Sequence, residues 1–143
     1  KFFGLAGLRL GFVAASPVLL ARLADQLGPW TVSGPAQIIG TAALSDVDWQ
    51  RVMRPRLQQD GQRLATLLRE AGMASHGCAL FRYWRTDQPE AFAEHMAGCG
   101  IWVRRFEHGI RLGLPANELA WQRLQHALSA WQALQVSIAT RRT

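Results

Sequence analysis

A chain of 143 residues, 49% hydrophobic and 18% charged, is about one domain in size and carries enough apolar side chains to bury a core. That balance excludes an intrinsically disordered chain, and no apolar run reaches the ~18 residues that a membrane span requires. The formal net charge of +6 is almost entirely arginine, but the arginines are scattered rather than gathered with aromatics on one face, which argues against a nucleic-acid partner.

The opening run, KFFGLAGLRLGF, is punctuated by Gly4, Gly7 and Gly11 and does not read as a leader. The apolar stretch Leu8–Ala15 predicts a short buried strand with Arg9 inside it. Ser16-Pro17 then predicts a helix start, and Gly28-Pro29 its stop. PWTVSGPAQIIGTAAL reads as a turn leading into a short apolar helix with Pro35 near its start. From Ser45 a longer helical pattern runs to about Ala71, with Ser45 and Asp48 resembling a capping box and Gly72 in the position after the last turn. Pro55 is expected to kink or divide it.

Met73–Trp84 reads as one or two strands, and Pro89–Gly98 as a short amphipathic helix. Two strands are expected at Ile101-Trp102-Val103 and Ile110-Arg111-Leu112, joined by RRFEHG. A last helix follows Pro115 through Leu119, Leu124, Leu128 and Leu134, and Arg141-Arg142 reads as a solvated tail. The mixture predicts an α/β sandwich, a sheet with helices on one face.

Little in the titratable inventory points to a metal. Cys78 and Cys99 lie far apart with no ligand spacing, as buried free thiols of a cytosolic protein would, and no two of the four histidines stand at i, i+4. Lys1 and Arg9 are more suggestive. A lysine becomes a nucleophile when its amine is desolvated or set beside another cation. An arginine that cannot lose its proton is suited to a dianionic phosphate, and glycines let backbone pass close to a bound group. By themselves the two are equally an ordinary chain end and a paired structural cation.

In register, Lys-x-x-Gly-Leu-x-Gly-Leu-Arg-Leu-Gly resembles the cofactor-lysine segment of fold-type I pyridoxal-phosphate enzymes. It looks most like the branch holding histidinol-phosphate aminotransferases and threonine-phosphate decarboxylases. The resemblance implies that Lys1 bonds to the cofactor, pyridoxal 5′-phosphate, and that Arg9 binds its phosphate. Gly100-Ile101-Trp102-Val103-Arg104 and Ile110-Arg111-Leu112-Gly113 resemble the same family's substrate arginines. Arg111 would bind the substrate carboxylate and Arg104 would lie near the substrate phosphate, with Arg105 the weaker candidate of the adjacent pair. PWTVSGPAQ resembles the branch as well, and RLGLPANELAWQRLQHAL looks more like its decarboxylases than its aminotransferases.

The resemblance therefore implies an α/β chain made of the end of the aminotransferase-like large domain, residues 1–44, plus the α/β sandwich small domain, residues 45–143. Family members are more than twice this length. The phosphate cup, the ring-stacking aromatic and the aspartate on the ring nitrogen are expected before Lys1, so the piece alone is expected to be inactive. The implied reaction is decarboxylation of L-threonine O-3-phosphate to (R)-1-aminopropan-2-yl phosphate for cobalamin synthesis. A histidinol-phosphate aminotransferase is the enzymatic alternative, and an α/β interaction domain with solvated arginines is the non-enzymatic one. A cytoplasmic homodimer is implied, with Trp30, Trp49 and Trp102 as candidates for packing at its interface.

Overall fold

The computed structural model describes residues 1–140, so Arg141 and Arg142 lie outside the described residues. The chain divides into two compact units, one spanning Lys1–Val52 and the other running from Met53 onward.

The first unit opens with a 3₁₀ turn at Ala6–Leu8 and then runs extended, without regular structure, to Ser16. The strand expected over Leu8–Ala15 does not form. A strand needs a neighbour to take its N–H and C=O groups, and among the described residues none pairs with this segment. Helix α1, Pro17–Leu27, begins at the predicted Ser-Pro step, although the Ser16 side chain makes no capping bond, and Gly28 follows it with φ 71°. Helix α2, Gly34–Ser45, is capped by Ser33, whose Oγ accepts from the Ala36 N–H at 3.4 Å. Phe2, Phe3 and Trp49 cluster by their rings at 5.0–5.5 Å between centroids. Much of this unit's apolar surface stays in solvent, including Trp30 and Ile38.

Helix α3, Val47–Glu70, is continuous through Pro55, which does not divide it. Its cap differs from the expected Ser45–Asp48 box. Helix α2 consumes Ser45, so Asp46 sits at the boundary and its Oδ1 accepts from the Trp49 N–H at 3.0 Å. Asp48 instead pairs with Arg51 at 2.8 Å. At the far end, Gly72 (φ 76°) lets the chain reverse so that the Met73 N–H reaches the Leu68 carbonyl at 2.8 Å.

Strands β1, His76–Cys78, and β2, Phe81–Arg85, form a hairpin, followed by helix α4, Pro89–Gly98, with the predicted bounds. Strands β3, Arg104–Phe106, and β4, Gly109–Gly113, complete an antiparallel sheet of order β1-β2-β4-β3. The strand expected at Ile101–Val103 thus lies three residues later. The apolar triplet is used to close α4: Gly100 is left-handed (φ 69°) and the Ile101 N–H donates to the Met96 carbonyl at 2.8 Å. Ile101 and Val103 then pack against the core. Helix α5, Glu118–Thr140, ends the described chain.

Alternation sorts the sheet's two faces. Trp84 and Ile110, cross-strand partners, point with Leu112 into a core built by Leu64 and Leu68 of α3, Phe92 and Met96 of α4, and Trp121, Leu124 and Leu128 of α5. Phe92, at 1% exposure, meets Trp84 and Trp131 edge-on at 5.3 and 5.2 Å. Burial of each such side chain stabilises the unit by ~1.5–3 kcal/mol before entropy is charged against it. The architecture is a mixed α/β one, with helices on one face of the sheet and the other face open.

Candidate active site

Each unit holds one pair of the residues singled out from the sequence. In the first, Lys1 is exposed and lines a cavity of about 240 Å³ whose other walls are apolar, among them Phe2, Phe3, Leu8, Leu10 and Phe12. Arg9 does not line that cavity, though its neighbours Leu8 and Leu10 do. Arg9 ends the 3₁₀ turn in the left-handed region, φ 54° and ψ 29°, with its N–H on the Ala6 carbonyl. It is the one non-glycine residue at positive φ among those described, a conformation that costs about 1–2 kcal/mol. Its side chain is exposed and no carboxylate pairs with it among the described residues.

These two groups fit the two ends of a pyridoxal phosphate. A primary amine at the wall of an apolar cavity suits an aldehyde, and a guanidinium with no acid partner suits a phosphate. The left-handed turn at Arg9, where a glycine would sit without strain, is a mark of a backbone held for function.

In the second unit, Arg104 of β3 and Arg111 of β4 are directly opposed across the ladder. Parity puts both on the open face of the sheet, opposite to the buried Ile110 and Leu112. Two cations in that relation repel, by up to ~1 kcal/mol, so the pairing costs stability unless an anion is bound. No carboxylate relieves it among the described residues. Both arginines line a groove of about 690 Å³ with Trp102, Arg105, Glu90 and Glu94. Arg105 lies on the other face and is bridged to Glu90 of α4 at 2.6 Å, which separates the adjacent pair: Arg105 ties sheet to helix and Arg104 faces out.

Aromatic rings surround the two free-facing arginines. The Arg111 guanidinium carbon stands 4.6 Å from the Phe81 ring centroid, and that of Arg104 5.5 Å from Phe106. Phe106 meets Tyr83 edge-on at 5.8 Å, and Tyr83 meets His76 at 5.2 Å. The sequence reading missed these rings. The alternation in Phe81-Arg82-Tyr83-Trp84-Arg85 held the signal, but one strand read alone does not say which parity faces the core. Among the described residues no cluster of His, Cys, Asp and Glu has metal-binding geometry, and no helix is long and apolar enough to cross a membrane.

The family model for aminotransferase class I and II matches residues 1–118. Over 131 residues the chain is 48% identical to a threonine-phosphate decarboxylase of Pseudomonas aeruginosa, covering 90% of this chain and 40% of that protein. A threonine-phosphate decarboxylase of a Sinorhizobium species is 38% identical over 90% of the chain and 39% of its own length. A histidinol-phosphate aminotransferase of Rhodospirillum centenum is 30% identical, covering 92% of the chain and 39% of that enzyme. The fold matches a crystal structure assigned as an aminotransferase from Burkholderia pseudomallei, with a TM-score of 0.77 and 24% identity over 92% of this chain and 42% of that one. The chain thus spans about 40% of the length of the curated relatives it matches.

Proposed function

From the premise that the chain belongs to the class I and II aminotransferase family, we propose that it is the C-terminal part of a pyridoxal-phosphate-dependent threonine-phosphate decarboxylase. Residues 1–44 would close the large, cofactor-binding domain and residues 45–143 form the small one, in a cytoplasmic homodimer. The higher identity to decarboxylases than to histidinol-phosphate aminotransferases supports the choice within the family. The observation that carries the substrate is the opposed Arg104–Arg111 pair, two cations on one open face with no acid to neutralise them.

L-Threonine O-3-phosphate is a small molecule with an anion at each end. Arg111 takes the carboxylate and Arg104 the phosphate, each charge-assisted bond contributing about 1.5–3 kcal/mol. The substrate's two anions also relieve the repulsion across the ladder, so the site is more complementary to a doubly anionic ligand than to a singly anionic one. Lys1 and Arg9 hold the cofactor, by its aldehyde carbon and its phosphate. When bound, that group supplies a ring that accepts electrons as a bond at the substrate Cα breaks.

What the chain's own residues decide is which bond breaks. Arg111 is fixed on a strand, so the carboxylate it grips sets the rotation about Cα. Cleavage of the Cα–carboxylate bond releases CO₂, and a proton from Lys1 Nζ replaces it at Cα. If the same grip presented the Cα proton instead, Lys1 Nζ would take that proton and the outcome would be amino transfer.

Product analysis of the full-length protein tests this. CO₂ and aminopropanol phosphate are expected from threonine phosphate with no keto acid added, and Lys1→Ala abolishes both. Glutamate formed from 2-oxoglutarate with histidinol phosphate, in place of CO₂ release, would overturn the decarboxylase reading.

A further inference from the structure

Elsewhere in the second unit, arginines that hold a fixed geometry are held by acids. Arg63 makes a two-pronged bridge to Glu118 at 2.7 and 2.6 Å, and Arg105 bridges Glu90 at 2.6 Å. Arg104 and Arg111 are different: no acid pairs with them among the described residues, and each lies instead over a phenylalanine ring. The chemistry of the two arrangements differs in what remains available. A carboxylate consumes N–H donors along the edge of the guanidinium and cancels its charge. A ring attracts the flat face of the cation through its quadrupole, leaving the edge donors and the net charge free.

The backbone makes these contacts specific. On β2, Phe81 pairs with Gly113, while Arg111 pairs with Tyr83, so Phe81 is diagonal to Arg111 on the same face. Phe106 precedes the β3–β4 turn, two positions after Arg104 and on its face, and is itself held edge-on by Tyr83. The opposed arginines therefore rest on different rings, one on each side.

We propose that Phe81 and Phe106 are positioning residues, which orient Arg111 and Arg104 respectively while leaving both cations un-neutralised for the substrate's two anions. This deepens the decarboxylase reading and rests on it. Each ring acts on its own arginine: Phe81 governs the carboxylate end and Phe106 the phosphate end.

The test uses the full-length holoenzyme, in which the cofactor occupies Lys1 and Arg9. Phe81→Leu is expected to raise KM for threonine phosphate ~3- to 30-fold, the range of one cation–π contact, with kcat within about twofold. The inhibition constant of inorganic phosphate, which reads the Arg104 end alone, stays unchanged in that variant. Phe106→Leu raises the phosphate inhibition constant by a similar factor, and Phe81→Tyr restores the wild-type KM, since a tyrosine ring offers the same face. A merely structural role would move both constants together in both variants, and that result overturns the proposal, as does a KM unchanged in Phe81→Leu. Variants whose urea midpoint falls by more than the wild-type error are replaced by Phe81→Met and Phe106→Met, read the same way. If the wild-type enzyme releases no CO₂ from threonine phosphate but does transaminate histidinol phosphate, the decarboxylase reading fails. The same constants measured with histidinol phosphate still decide the roles of the rings.

Discussion

Replacing Gly61 by alanine sets two effects of known size against each other. Gly61 lies inside α3 and is buried. In an open helix the change would stabilise by about 1 kcal/mol, because alanine loses less entropy. Here a Cβ would stand 2.9 Å from both the Cα and the carbonyl oxygen of Ala79, and 3.2 Å from its carbonyl carbon. Those are backbone atoms of the turn between β1 and β2, which no rotamer change can withdraw. To restore ordinary contact the helix must retreat by about half an ångström, carrying the fully buried Leu64 and Leu68 with it. Overpacking of that kind costs ~1–3 kcal/mol, so a net loss of ~1–2 kcal/mol is expected after the propensity gain. In urea denaturation followed by circular dichroism this appears as a midpoint lowered by ~0.5–1 M at unchanged slope. Gly98→Ala, where a Cβ meets nothing within 4 Å, is the control and should be neutral or slightly stabilising. A Gly61→Ala midpoint at or above wild type would refute the close approach of α3 to the hairpin.

Phe92→Ala removes a ring buried to 1% between Trp84 and Trp131, and a loss of ~3–5 kcal/mol is expected by the same denaturation measurement. Glu118 is held below the usual carboxylate range by its hydrogen bonds to Arg63. A lowered folded value stabilises above the unfolded pKa of ~4.3 and is lost as pH falls through the folded value. Glu118→Gln should therefore flatten the urea-midpoint profile below about pH 4 without altering it near pH 7. Cys78, exposed on β1, has its thiol lowered first by the Leu80 backbone N–H and then by that of Phe81. Iodoacetamide should label it before the half-buried Cys99, with a rate–pH inflection below the ordinary ~8.5. Mass spectrometry of the partially labelled native protein reads the order.

The helices were legible because their ends are chemically marked. Pro89 and Gly98 bracket α4, and Gly72 ends α3, since proline fixes one dihedral and glycine frees another whatever lies nearby. Strands depend on partners, and there the local reading failed. Leu8–Ala15 has the composition of a buried strand but no described neighbour to bond with. Ile101–Val103 is as apolar, yet α4 uses it as a stopper while the polar Arg104-Arg105-Phe106 takes the ladder. At the site, the sequence pointed to Arg9 and Arg111 through their register with a known motif. The left-handed turn at Arg9 and the rings beneath Arg104 and Arg111 arise from tertiary placement and left no local mark.

Strand β4 also ties the aim of the site to the integrity of the core. Ile110 and Leu112 are buried, and Arg111 between them is thereby sent to the opposite side. Slipping β3 by one residue against it would bring Arg105 opposite Arg111 and turn Arg104 inward, toward α4. The Arg104-Arg105 doublet would still present a cation, but the bridge from Arg105 to Glu90 would be broken. Insertions or deletions in the Glu107-His108 turn are thus selected against twice, once by folding and once by chemistry. The spacing between the two anion-binding charges is a property of the hairpin's length, and a change in substrate size would call for a change of strand partner before a change of side chain.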